Sequence, residues 1–363
     1  MPFLFYTNGI YACIRRILWD IKTESGDFRM AEFAYFACAN TGKGYEHFLR
    51  ELRPASDDAR VCVVRGAAGT GRHMVLAALA ADWEARGREV IRYGGAEETG
   101  RLAAVVSGNW AALDGAVALG PEVCPGDLEI DMSAAVELSA LRGERARAGV
   151  LYKRIHGLRR RAWRCLQVAH TAWSDSAAIY AEAVDAGAMM NLRLELSRWM
   201  AGSPGGRQRA FAQAVTPAGV LSCAESLPRR ETVCLDLPWG FDPDALLYPI
   251  AASLQLRGVG HRAIMQTLDG GRLNHLCTDS HAIAAFVEPG RETRTLPFDG
   301  GILRREQDAL AFNRAAYDLW LRQAIETLAA VRECAQSLER LISDAIMEEK
   351  RQALILEAMR FFE

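Results

Sequence analysis

The sequence predicts an α/β fold, a parallel sheet flanked by helices, present twice and elaborated by long helical hairpins. Three observations lead there. A glycine-rich turn from Gly66 to His73 stands between an apolar strand pattern and a helical one. A segment starting at Phe36 recurs in outline at Phe211. After each occurrence comes a long stretch with few turn formers and apolar residues at helical spacing, Ala134 to Met200 and Leu303 to Phe362.

The bulk composition is that of a folded globular chain. Its 363 residues exceed the usual ~100–200 per domain, so two domains or one elaborated domain are expected. Half the residues are hydrophobic and 24% are charged, which excludes a disordered chain. A net charge of -2 gives no overall field that draws nucleic acid or an anionic membrane. The nine cysteines are scattered with no CxxC pair, which suits reduced thiols in a cytoplasm.

No run reaches the ~18 consecutive apolar residues that a spanning helix needs. Pro2 to Ile21 is broken by Asn8, Arg15, Arg16 and Asp20. It does not read as a signal peptide either, because its basic residues follow the apolar stretch. Residues 1–29 show no clean period, and two readings stay open for them: an extension ahead of a natural start at Met30, or an amphipathic N-terminal helix.

Along the first half, Arg60 to Val64 reads as a strand, the Gly-rich turn follows, and a helix runs from Arg72 to Arg86. Val75, Leu76, Leu79 and Trp83 give that helix one apolar face, and Gly87 stops it. Glu89 to Tyr93 then reads as a return strand, the βαβ crossover of a parallel sheet. Trp110 to Asp114 is a further apolar run, ending in an acid. Gly202-Ser-Pro-Gly-Gly206 is the linker expected between the halves, since Gly and Pro remove helix propensity there. The boundaries are therefore 1–29 for the extension, 30–201 for the first half and 207–363 for the second.

The recurrence is specific in order as well as in residues. Phe36-Ala-Cys-Ala-Asn-Thr-Gly-Lys-Gly44 through Leu52 aligns with Phe211-Ala-Gln-Ala-Val-Thr-Pro-Ala-Gly219 through Leu227 at Phe, two Ala, Thr, Gly and Leu. Val61-Cys62, Arg86-Gly87 and Gly100-Arg-Leu102 are followed in the same order by Val233-Cys234, Arg257-Gly258 and Gly271-Arg-Leu273.

The turn carries the chemistry. Gly66, Gly69, Thr70, Gly71, Arg72 and His73 occupy the places of the Walker A pattern GxxxxGK[ST]. Glycines let successive N–H groups curl toward phosphate oxygens, and the following helix offers its positive end. Two side chains depart from the pattern. Arg72 replaces the lysine that reaches the β- and γ-phosphates, and His73 replaces the hydroxyl that ligates Mg²⁺. Asp114 is the candidate for the Walker B carboxylate near the metal's water shell. The expected cofactor is ATP, with or without Mg²⁺, and hydrolysis is expected to be weak or absent. In the second half the same place reads Pro238-Trp-Gly-Phe-Asp-Pro-Asp244-Ala245, with acids and no basic residue. The counterpart of Asp114 there is Ala285 or Val287, so that copy is expected to bind no phosphate.

Other patterns carry less. Lys153, Arg154, Arg159, Arg160, Arg161 and Arg164 beside Trp163 read first as a solvated helix face, with nucleic acid the lesser alternative. His275, Cys277, Asp279 and His281 alternate, which on a continuous strand would put them on one face. No Ser-His-Asp or Cys-His nucleophile pattern stands out.

The tandem arrangement after Met30 resembles the duplicated P-loop ATPase-like proteins of clostridial and related Gram-positive bacteria. The shared motifs are Asn40-Thr-Gly-Lys-Gly44 with Val215-Thr-Pro-Ala-Gly219, the loop glycines 66, 69 and 71 with Thr70, and Asp114-Gly115. Arg72 and His73 depart from the family's loop, and Ala116-Val-Ala-Leu119 stands where the family has Thr-Ala-Pro-His. The resemblance implies a divergent member that binds nucleotide through the first half. The alternative is a pseudo-ATPase scaffold that binds a protein partner through its helical hairpins.

Overall fold

A computed structural model describes residues 34–97, 100–115, 121–223, 231–287 and 290–363. The expected extension at residues 1–29, the start at Met30 and the segment Ala116 to Leu119 lie outside the described residues. Phe33–Glu363 forms one compact unit, and the linker at Gly202 to Gly206 falls inside it.

The first half runs β1 (Tyr35–Phe36), β2 (Cys38–Thr41), β3 (Gly44–His47), β4 (Arg60–Arg65), α1 (Arg72–Ala85), β5 (Ile91–Gly94), β6 (Leu102–Ser107), β7 (Trp110–Asp114), β8 (Leu128–Asp131), α2 (Arg145–Ala183) and α3 (Ala186–Trp199). The second runs β9 (Arg207–Phe211), β10 (Gln213–Thr216), β11 (Gly219–Ser222), β12 (Glu231–Asp236), α4 (Asp244–Leu256), β13 (His261–Gln266), β14 (Asp269–Cys277), β15 (His281–Ala284), β16 (Glu292–Thr295), α5 (Gly300–Arg305), α6 (Gln307–Ser343) and α7 (Glu348–Phe361).

The fold is α/β, as the composition and periodicities predict. Its main sheet has twelve strands in the order β16-β12-β15-β14-β13-β9-β1-β5-β6-β7-β4-β8. Outward from the central β9–β1 pair, each side passes through the same kinds of element and the same pairing directions. Parallel neighbours outnumber antiparallel ones by six to five, so the sheet is mixed. The expected βαβ unit is corrected in one respect. β4 and β5 run in the same direction, but β7 and β6 lie between them. Local patterns reveal a crossover's direction and not how many strands it skips, because pairing is settled by residues distant in sequence.

Two small hairpins lie off the main sheet and share one turn chemistry. The Thr41 hydroxyl donates to the Gly44 carbonyl at 3.1 Å, and the Thr216 hydroxyl donates to the Gly219 carbonyl at 2.9 Å. Gly44 and Gly219 take φ of +123° and +118°, a region that a Cβ would strain. The matched Thr and Gly of the sequence recurrence are thus the residues that close both turns.

The long helices α2 and α6 pack against one another. Ile155 meets Val331, Cys334 and Leu338, while Ala162, Cys165, Leu166 and Ala169 meet Ala324 and Leu328. The rising numbers on one helix meet falling numbers on the other, so the pair is antiparallel. The short helices after them cross between halves. Helix α7 packs on α1, with Trp83 and Phe362 ring centroids 4.8 Å apart. Helix α3 packs on α4, where Leu192, Leu196 and Met200 join Leu246, Leu247, Ile250 and Leu254 in one core cluster. Each half is closed by a helix of the other.

Among the described residues no helix is long and apolar enough to cross a membrane. The described cysteines are free thiols, and all but Cys124 are buried.

Candidate functional site

Strand β4 ends at Arg65 and helix α1 begins at Arg72, so the Gly-rich turn lies at the carboxyl end of a sheet strand and opens a helix. That is the place where α/β sheets bind ligands. Gly66, Gly69 and Gly71 take φ of +140°, +83° and +92°. Their spacing between residues of ordinary backbone curls the chain into a concave turn whose N–H groups can face an anion.

Arg72 holds this turn in shape. Its Nη1 donates to the carbonyls of Gly66 at 2.6 Å and Ala67 at 2.7 Å, and its Nε donates to Asp114 Oδ1 at 2.9 Å. Asp114 reaches that position because β7 lies beside β4 in parallel, with Val64 opposite Asp114. Residues 42 apart in sequence therefore meet at one end of two neighbouring strands. The side chains are 16% and 19% exposed, so the pair is screened from water on most sides while keeping an open face.

The other turn residues have structural tasks. Thr70 is buried, and its hydroxyl donates to the Ala67 carbonyl at 2.9 Å. It points into the turn and does not replace the missing metal ligand. His73 is partly buried in the first turn of α1. Burial, aided by the positive charge of Arg101, holds its imidazole below the ordinary value, and in the neutral form the ring adds no positive charge to the turn.

Three residues that the sequence did not single out complete the surroundings. A Cβ on Gly69 would lie 2.8 Å from the Glu339 carbonyl oxygen, so α6 rests directly on the turn. The Glu339 carboxylate accepts two bonds from Arg101, at 2.7 and 2.8 Å. Arg351 of α7 passes Gly71, its Cδ 3.3 Å from where a Cβ would be. No local signal assigns these residues to the turn: Glu339 and Arg351 arrive from the far end of the chain, and Arg101 stands in the sequence only as part of the Gly100-Arg-Leu102 recurrence.

The turn between β12 and α4 follows a similar path with different chemistry. Gly240 takes φ of +94°, and a Cβ there would lie 2.7 Å from Ser176 Cβ of α2. Asp242 is paired with Arg272 and accepts from Gln266 Nε2 at 3.2 Å, while Asp244 accepts from the Leu273 N–H at 2.8 Å. Burial raises the Asp242 carboxyl above its ordinary value. Cys234 lies opposite Ala284 as Cys62 lies opposite Ala112, so the place of Asp114, two residues further on, falls to Phe286 rather than to the expected Ala285 or Val287, and no acid stands there.

The remaining candidates disperse. His275 is buried against Asn274 and accepts from the Ala285 N–H at 2.9 Å. Cys277 lies in the core, Asp279 accepts from Ser203, and His281 pairs with Glu231 at 2.9 Å. The chain turns between β14 and β15, so the alternation does not form one face. In the basic stretch, Lys153, Arg154, Arg160, Arg161 and Arg164 are exposed, Arg159 pairs with Glu97, and Trp163 turns inward to donate to Asn40 Oδ1 at 3.1 Å. No family model, no curated protein and no solved structure matches this chain.

Proposed function

We propose that this chain is an internally duplicated P-loop-type protein whose first half binds the phosphates of a nucleoside triphosphate, with little or no hydrolysis. The observation that carries the reading is the Arg72 guanidinium, which bridges the Gly66 and Ala67 carbonyls to Asp114 at the mouth of a strand-to-helix turn. A cation, a concave glycine turn and a helix N-terminus converge there, and each favours an anion. ATP is the nucleotide that the family resemblance implies.

The duplication is supported by the sheet, which repeats the same order outward from β1 and from β9, and by the matching hairpin turns. Weak turnover follows from the side chains. His73 offers no hard oxygen ligand for Mg²⁺, and Asp114 is engaged by Arg72. The free, mostly buried thiols suit a reducing compartment such as the cytoplasm.

A second reading is a pseudo-ATPase scaffold for a protein partner. It is favoured by the apolar face of α6, where Phe312, Leu319 and Trp320 are exposed at spacings that place them on one side of the helix.

Calorimetric titration with ATP, GTP and ADP, with and without Mg²⁺, separates the two. Saturable binding that Gly71→Asp abolishes supports the nucleotide reading. No heat at millimolar ligand would sink it and leave the scaffold.

A further inference from the structure

Helix α7 runs alongside α1 in the same direction. Near the start of both helices, Arg351 of α7 touches Gly71, the residue before α1. At their far ends Phe362 meets Trp83 edge to face, and Arg86 Nη1 donates to the Phe362 carbonyl at 3.3 Å. The positive ends of two parallel helix dipoles therefore meet at the Gly-rich turn, an arrangement that an anion between them would stabilise.

The second half has the same pair of helices and supplies its own anions. Arg193 on α3 donates to the Ala245 carbonyl at the start of α4 at 2.9 Å, and Arg257 at the end of α4 donates to the Met200 carbonyl at 3.2 Å. There the positive ends are met by Asp242 before the helix and Asp244 in its first turn. Helix α1 has no acid in its first turn, and the acids in the first turn of α7 are Glu348 and Glu349, of which Glu348 is tied to Arg351 and Gln352.

Arg351 itself is under-used. Its Nη2 bonds Glu348, while its Nε is shut from solvent and has no hydrogen-bond partner. The side chain is only 18% exposed. A half-buried guanidinium whose Nη1 lies 3.8 Å from where a Cβ on Gly71 would be stands beside the turn, in reach of an acceptor held there.

We propose that Arg351, delivered by the second half's last helix, is a phosphate-binding residue of the first half's turn, gripping the ligand opposite Arg72. The proposal rests on the phosphate reading of that turn and adds to it a residue from the other half. It explains why the closing helix is exchanged: the site is complete only when α7 is docked.

The test is calorimetry on the full chain with ATP and with inorganic tripolyphosphate, comparing wild type, Arg351→Ala, Arg351→Lys, Glu348→Gln and Gly71→Asp. Arg351→Ala should weaken both ligands at least about tenfold, Arg351→Lys should weaken them less, and Glu348→Gln should tighten them by freeing the guanidinium. The rise in affinity with Glu348→Gln is a result that a merely structural arginine would not give, and it stands even where Arg351→Ala fails to fold. Binding by wild type that Gly71→Asp abolishes, while Arg351→Ala and Glu348→Gln leave it unchanged, would overturn the role of Arg351 and keep the turn as the site. No binding by wild type would overturn both.

Discussion

The turn after β4 and the turn after β12 share a backbone and differ in charge. Both leave a sheet strand, pass a left-handed glycine, Gly69 or Gly240, and enter a helix beneath a long helix from the opposite half. The first then presents Arg72, bound to the turn's carbonyls and to Asp114. The second presents Asp242 and Asp244, bound to Arg272 and to a backbone N–H. The difference teaches that one backbone path can carry opposite charge: the second half meets its helix N-terminus with its own acids, whereas the first helix has no acid in its first turn, and the proposed function leaves that place to an anionic ligand.

The largest effect should come from challenging what the turns share. Gly69→Ala and Gly240→Ala each force a side chain into left-handed backbone and into a contact under 3 Å, which should cost about 2–4 kcal/mol in urea denaturation. The two then diverge. The Gly240 contact is with the Ser176 side chain, so Ser176→Gly should recover part of the loss. The Gly69 contact is with the Glu339 backbone, and no side-chain change should recover it. Equal rescue at both sites would break the comparison.

Next comes the cation against the acids. Arg72→Ala removes a charged partner from Asp114 and from two carbonyls in a partly buried site and should cost about 1–3 kcal/mol, with loss of any anion binding. Arg272→Ala, at a side chain 42% exposed, should cost less and leave anion binding as it was. Chemical denaturation and calorimetry on the two variants test this directly.

Acid separates the turns by sign. His73 has its value lowered in the fold, chiefly by burial, so the unfolded chain binds its proton first. Stability from this group is present above the ordinary histidine value of about 6.5 and declines as pH falls below it. Asp242 is raised, also chiefly by burial, so protonation relieves it and stability from it grows as pH falls through the carboxylate range. Urea midpoints between pH 7.5 and pH 5 should fall less in His73→Gln than in wild type, and an unchanged slope would refute the assignment.

The smallest effect should be the same in both halves. Arg86 and Arg257 cap the ends of the exchanged helices through the Phe362 and Met200 carbonyls. Replacing either by Ala should cost about 1 kcal/mol, and unequal losses would show that the two closures are not built alike.

Much of the local structure was legible. The expected strand at Arg60 to Val64 and helix at Arg72 to Arg86 appear as Arg60–Arg65 and Arg72–Ala85, and the strand Trp110–Asp114 appears as read. The expected strand from Glu89 begins later, at Ile91, and the helical stretch from Ala134 begins as helix α2 only at Arg145. Of the site, the turn and the acid at the end of Trp110–Asp114 were legible because a glycine turn after an apolar strand and an acid at a strand end are both local patterns, whereas their meeting depends on β7 pairing with β4. Glu339, Arg101 and Arg351 were not, because they meet the turn only through packing.

The sequence by itself determined the alternation of strands and helices, the place of the turn and the charge it carries. These follow from side-chain periodicity, glycine backbone freedom and residue chemistry, which act over a few residues. Only the tertiary structure decided that β4 lies between β7 and β8, that Arg72 closes on Asp114, and that each half is capped by the other's helix. Those outcomes depend on which apolar faces bury together across long loops, and the free energy of such pairings belongs to the assembled core rather than to any segment within it.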